Sequence, residues 1–315
     1  MATGPVSWTT LSASRVAAAD AVALGGCTMR RGFLLALLVL PALACSSAGR
    51  RLDEANEARH AGRPRDALHG YQQVLGELGD GRLSRRDDDM RRRALKYAAD
   101  VSYLEIGDFV QAISYYRRIV ALYPGTADAW KARATTADIY RERFGDRVAA
   151  IAQWADIAAG DAPEAATYQL KVAREYLELG NWVQARTEAR ILRERWPAAE
   201  LADEAQLLTA QAWALENRGD EAHRAFQALL DRKPRPDVAA IALEGQAHLA
   251  AQDGKLDRAL ALYAQALSAH PSPQSIRMAI EKVRERRDRS RPATDASTTK
   301  ARRVEGLEKR RVEPF

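Results

Sequence analysis

From Leu52 to Val283 the apolar positions recur three and four residues apart, in helix-length runs that end at a glycine or a proline. Gly107 to Pro124, GDFVQAISYYRRIVALYP, shows the plan most fully. Ala112 follows the Gly by five residues, Tyr116 comes four later, and Pro124 eight further. Gly62/Ala67/Tyr71, Gly145/Ala150/Trp154, Gly180/Ala185/Ala189/Pro197 and Gly254/Ala259/Tyr263/Pro271 keep these spacings. A sixth set, Gly219/Ala222/Phe226/Pro234, lacks two residues between its Gly and its Ala, which predicts a tightened turn. The six alanines stand 45, 38, 35, 37 and 37 residues apart, and two helical patterns fill each interval.

Each skeleton residue has a physical task. The Gly admits the left-handed backbone of a helix C-cap. The Ala faces a helix crossing where a larger side chain would push the helices apart. The aromatic lies one turn later on the same face and fills the space beside the crossing. The Pro ends the second helix by removing a donor.

Repeated helix–turn–helix units with this period resemble the tetratricopeptide repeat family. The resemblance implies an all-α, right-handed α-solenoid of about six units over residues 51–289, with first helices lining a concave groove. Its groove-facing positions project onto Tyr97, Val101, Lys131, Asp138, Arg174, Gln206, Thr209, Trp213, Glu244 and His248. These mix both charge signs with two aromatics and differ from the Lys/Arg clamp of the family's chaperone-tail binders. For Tyr97 and Trp213 a core position fits equally well. The aromatic of the first helix is Tyr103, Tyr140 and Tyr176 in units two to four, with one extra residue before Gly145. Leu215 and Ala250 replace it in units five and six.

Gly79 to Arg93, GDGRLSRRDDDMRRR, accounts for the 45-residue interval and reads as a solvated loop or an extended helix end. Pro273 to Arg289 puts Ile276, Ala279, Ile280 and Val283 on one stripe, as a polar-backed capping helix requires. Residues 290–315 have no periodicity and few apolar positions, so the expectation is a disordered basic tail.

The amino-terminal region changes the picture. Arg30 and Arg31 precede twelve apolar residues, FLLALLVLPALA, and then Cys45-Ser46-Ser47. At 1.5 Å per residue that run reaches ~18 Å, short of a ~30 Å hydrocarbon core, so a secretory signal over 29–44 is expected. Ala42-Leu43-Ala44-Cys45 resembles a bacterial lipobox, with Ala42 where Leu is usual. That resemblance implies acylation of Cys45, a short tether over 45–50, and, from Ser46, sorting to an outer membrane. Residues 1–28 then read as a start-site extension ahead of Met29.

Charge is uneven. The formal balance is +6, yet 282–315 alone carries twelve basic and six acidic residues, and the 45–281 body comes to −2. Only eight of the 48 basic residues are Lys, an Arg bias that reads first as genome composition. The tail interleaves acids with bases and has no aromatic before Phe315, which argues against nucleic-acid binding.

Catalytic and metal-binding patterns are absent from the sequence. The five His show no ligand spacing on one helix face, and there is no Gly-rich phosphate loop or G-x-S-x-G. Asp87-Asp88-Asp89 lacks the alternating ligands of a calcium loop. Neither enzyme activity nor a cofactor is expected. The expectation is a lipid-anchored scaffold in the bacterial envelope, binding other envelope proteins or extended peptides. Signal, lipobox and repeats together resemble the BamD type of outer-membrane assembly lipoprotein, which has five repeats rather than six. Secretion, Tol–Pal or peptidoglycan machinery would suit the same features, as would a soluble cytosolic adaptor.

Overall fold

A computed structural model describes residues 33–197 and 200–290, with side chains from residue 47 onward. The expected extension over 1–28, residues 29–32, the tail beyond 290 and the Cys45 side chain lie outside the described residues.

Among the described residues all regular structure is helical. In order come α1 (Phe33–His60), α2 (Pro64–Leu78), α3 (Arg85–Asp100), a π-helical turn (Val101–Ile106), α4 (Phe109–Leu122), α5 (Ala127–Arg143) and α6 (Arg147–Ala159). Then follow α7 (Ala165–Glu178), α8 (Trp182–Arg195), α9 (Leu201–Leu215), α10 (Gly219–Asp231), α11 (Pro236–Gln252), α12 (Leu256–Ala266) and α13 (Pro273–Ser290). Consecutive helices pack as six hairpins, and α13 covers the last of them. First helices also touch one another: α1 meets α3, α7 meets α9, and α9 meets α11. The result is an α-solenoid. Its buried apolar residues divide into five clusters among the described residues, as expected where each unit contacts only its neighbours.

The alanines behave as crossing residues. Ala67, Ala112, Ala150, Ala185, Ala222 and Ala259 are all 0% exposed. Tyr71, Tyr116, Trp154, Phe226 and Tyr263 are buried beside them. Tyr116 donates to Asp100 at 2.9 Å and Tyr71 to Asn56 at 2.8 Å, so both hydroxyls are satisfied. Pro124, Pro197, Pro234 and Pro271 each follow a second helix within a few residues.

The turns correct the reading of unit five. Gly62, Gly107, Gly145, Gly180 and Gly254 have φ between 65° and 80°, but Gly219 is no member of that set. Asn217 adopts φ 60° in its place, and Ala222 lies five residues beyond it, as in every other unit. No residues are missing from this turn. Asn tolerates the left-handed region through its short polar side chain. The bonds agree: Arg63, Asn181, Arg218 and Lys255 each donate their backbone N–H to the carbonyl five residues back, at 2.9 Å. Trp213 therefore holds the position Tyr176 holds in unit four, and Leu215, read as the aromatic's replacement, lies 52% exposed.

Units two and three each accommodate one more residue. Asp108 N–H reaches Ser102 and Asp146 N–H reaches Tyr140, six residues back, and in unit two the π-helical turn absorbs the surplus. The charged 79–93 segment is mostly helix rather than loop. Ser84 caps α3 by accepting from Asp87 N–H at 3.2 Å, and α3 begins at Arg85. Asp88 pairs with Arg91, while Asp89 pairs with Arg92 and Arg93. At the other end, Ala48 is already 1% exposed and Ser47 donates to Glu77 of α2 at 3.2 Å. Packing thus starts inside the segment read as a tether.

Candidate interaction groove

First helices α7, α9 and α11 contact one another in series, and side chains from all three meet along one face. A cavity of about 470 Å³ opens there. Leu177, Ala214, Leu215, Phe226, Ile241 and Leu249 supply its apolar lining, and Gln211, Glu244, His248 and Gln252 its polar lining. Gly245 completes the wall because Phe226 stacks against its bare backbone: an added Cβ would stand 2.3 Å from Phe226 Cζ. Glu244 is held by His270, Nε2 to Oε2 at 3.1 Å. The exposed His248 ring meets Tyr263 edge-on at 5.5 Å. Burial, and after it the charge of Glu244, pushes the Tyr263 hydroxyl up to about 12.

Of the ten projected groove residues, Glu244 and His248 line this cavity. Lys131 and Arg174 are exposed on first helices, with Arg174 paired to Glu204. Asp138 is half-buried, and desolvation raises its carboxyl pKa while Lys171 opposes the shift. Tyr97 packs against Tyr71 at 5.8 Å with Arg59 over its ring at 5.8 Å.

Four projections miss the groove. Val101 is 0% exposed, because the extra residue of unit two rotates the helix past it. Gln206, Thr209 and Trp213 are displaced by the two-residue error at Gly219. Gln206 accepts from Arg193 and donates to the Ala225 carbonyl, bridging α8 and α10. Thr209 donates to Ala205 within its own helix. Trp213 packs in the unit-five core, stacked by Arg186 at 3.6 Å and by Arg218 at 4.9 Å. Counting from Asn217 instead turns the Trp213 projection into Gln211, which lines the cavity, as do Ala214 and Leu215 further along α9. The signal was a single residue type, Asn where its siblings have Gly.

A second apolar strip lies at the turn edge. Val110, Val148 and Val183, each three residues after its unit's Gly, are 61–71% exposed. In units two and three Tyr103, Phe109, Phe144 and Tyr140 join in a chain of ring contacts, 6.1 to 6.3 Å apart. Among the described residues no group of three or more His, Cys, Asp or Glu is placed to hold a metal ion, and no helix is long and apolar enough to cross a membrane.

Tetratricopeptide repeat models match residues 92–136, 170–235 and 216–275. The crystal structure of the apo form of RapI is similar over 77% of this chain and 72% of that one, at 13% identity and TM-score 0.50. A tetratricopeptide repeat protein from Parabacteroides merdae aligns over 78% and 89% at 16% identity, TM-score 0.46. PilW, described as a type IV pilus biogenesis factor, aligns over 74% and 98% at 15% identity, TM-score 0.43. Identities this low bear on the fold alone. No curated protein sequence matches the chain.

Proposed function

This chain carries tetratricopeptide repeats and is a protein–protein interaction scaffold, and from that premise we propose that its α7–α9–α11 groove holds an envelope protein or peptide while lipid on Cys45 ties it to a membrane. The observation that carries the groove reading is the cavity itself, lined by apolar and polar side chains together, which suits one apolar side chain of a partner with hydrogen bonds around it. The lipobox-like residues 42–45 and the apolar run before them support the anchor. With Ala48 already packed, only Ser46 and Ser47 separate an acylated Cys45 from the solenoid, a reach of at most ~10 Å. The groove would then sit at a defined height over the bilayer.

Two experiments separate the parts. In-cell photo-crosslinking from position 248 should capture a partner, and Leu215→Asp should abolish it. Leu215 is half exposed, so the solenoid stays folded. Capture that survives Leu215→Asp would overturn the groove reading. Labelling with a clickable fatty acid should mark the wild-type chain and spare Cys45→Ala. An unlabelled wild type would leave the scaffold as a cytosolic adaptor.

A further inference from the structure

The imidazole of His270 occupies a corner where three elements meet. Its side chain is 7% exposed, between the end of α12 and the start of α13. Nδ1 accepts the backbone N–H of Ser272 at 3.0 Å, which makes that nitrogen an acceptor. Nε2 therefore carries the hydrogen and donates it to Glu244 Oε2 at 3.1 Å. Ser272 in turn opens α13, where its carbonyl accepts from Ser275 Oγ at 2.7 Å. One neutral ring thus joins the groove wall on α11 to the first turn of the helix that covers the solenoid's end.

A second proton on this ring has nowhere to go without breaking that arrangement. It must bind Nδ1, and a new N–H would then face the Ser272 N–H at 3.0 Å, donor against donor. The contact with Glu244 meanwhile becomes a charge-assisted pair and draws the ring toward α11. Glu244 of α11 is the charged group paired with this ring, and the Tyr263 hydroxyl of α12 feels the charge of that same Glu244. Tyr263, its hydroxyl pushed up by burial, stays neutral under acid conditions. Ile276, one turn into α13, is 0% exposed and belongs to the cluster that α13 completes with α11 and α12.

We propose that His270 is a proton-operated latch: neutral, it seats α13 against the last hairpin, and protonated, it releases the first turn of α13 while binding Glu244 more tightly. The latch acts on the groove assigned above and in that respect rests on that reading, because Glu244 lines the cavity. Acid both loosens the end cap and removes Glu244's negative charge from a partner's reach.

The test is hydrogen exchange on the full chain at pH 8 and pH 5.5, with rates corrected for intrinsic pH dependence. Protection over residues 272–280 is expected to fall about three- to tenfold at the lower pH, the range one net hydrogen bond supports. His270→Gln keeps an amide donor for Glu244 and a carbonyl acceptor for Ser272, so its protection should not change with pH. Ring 15N shifts at pH 8 should report the Nε2–H tautomer for His270. Unchanged wild-type protection at pH 5.5 would overturn the proposal. So would an equal loss in His270→Gln, which would assign the effect to another group such as His248. Both readouts are taken without a partner, so they stand or fall apart from partner capture at Leu215.

Discussion

Replacing Gly245 with Ala tests the packing that shapes the groove. The added Cβ would stand 2.3 Å from Phe226 Cζ and 2.7 Å from both Cε atoms. Carbon atoms rest at about 3.5–4.0 Å, so the shortfall exceeds ~1 Å. Phe226 is 1% exposed and cannot swing out, so α10 and α11 must separate or the ring must leave its rotamer. Overpacking of this kind costs ~1–3 kcal/mol. Against it stands a gain of ~0.5–1 kcal/mol for Ala over Gly inside a helix. The clash wins, and a net loss of ~0.5–2 kcal/mol is expected. Gly76→Ala in α2 supplies the control, since an added Cβ meets nothing within 4 Å there. Urea unfolding followed by circular dichroism should show Gly245→Ala below wild type and Gly76→Ala at or above it. Phe226→Leu should relieve the clash, so Gly245→Ala ought to cost less in that background. If both alanine variants were stabilised equally, the close approach of α11 to Phe226 would be refuted.

Three further outcomes follow from the same contacts. Asn217→Ala should lower stability by ~1 kcal/mol because φ 60° disfavours a β-carbon without a polar partner, whereas Gly219→Ala should be neutral or stabilising; chemical denaturation distinguishes them, and the reverse order would restore Gly219 as the turn residue. Ala112→Leu should cost ~1–3 kcal/mol at a fully buried crossing, and an unchanged melting temperature would remove Ala112 from it. Burial raises the hydroxyl pKa of Tyr263 to about 12, so the unfolded chain loses that proton first and stability falls as pH rises from about 10 to about 12. Tyr263→Phe should flatten part of that decline in melting temperature, and an identical decline would disprove the link.

The repeat plan was legible because its constraints act on residue type at short range. A left-handed cap asks for Gly, a close crossing for Ala, and the space beside it for an aromatic, so spacing alone located six hairpins. The groove was less legible because face assignment depends on counting from the right turn. Asn217 satisfies the same backbone demand as Gly through a different side chain, and two residues of misplacement left Trp213 divided between core and groove and hid Gln211 and Leu215. Val101 failed for a related reason, since the residue that a π-helical turn absorbs leaves no mark in composition. The helical start at Arg85 did leave one: Ser84 with Asp87 three residues on is a capping pattern, outweighed by the density of charge around it. The apolar strip at Val110, Val148 and Val183 repeats at the unit period, but a repeat-periodic valine next to a core reads as core until the turn geometry turns it outward.

The division of the apolar interior into five parcels has a mechanical consequence. A globule with one shared core resists a pull at its ends until that core ruptures, whereas this chain carries its hairpins in series. Tension along the axis is borne equally by every junction between neighbours, and each yields a small slip, so the extensions add while the force does not. The molecule is therefore compliant along its length and stiff across each hairpin. The α7–α9 and α9–α11 contacts are the junctions at which such slips would reshape the groove.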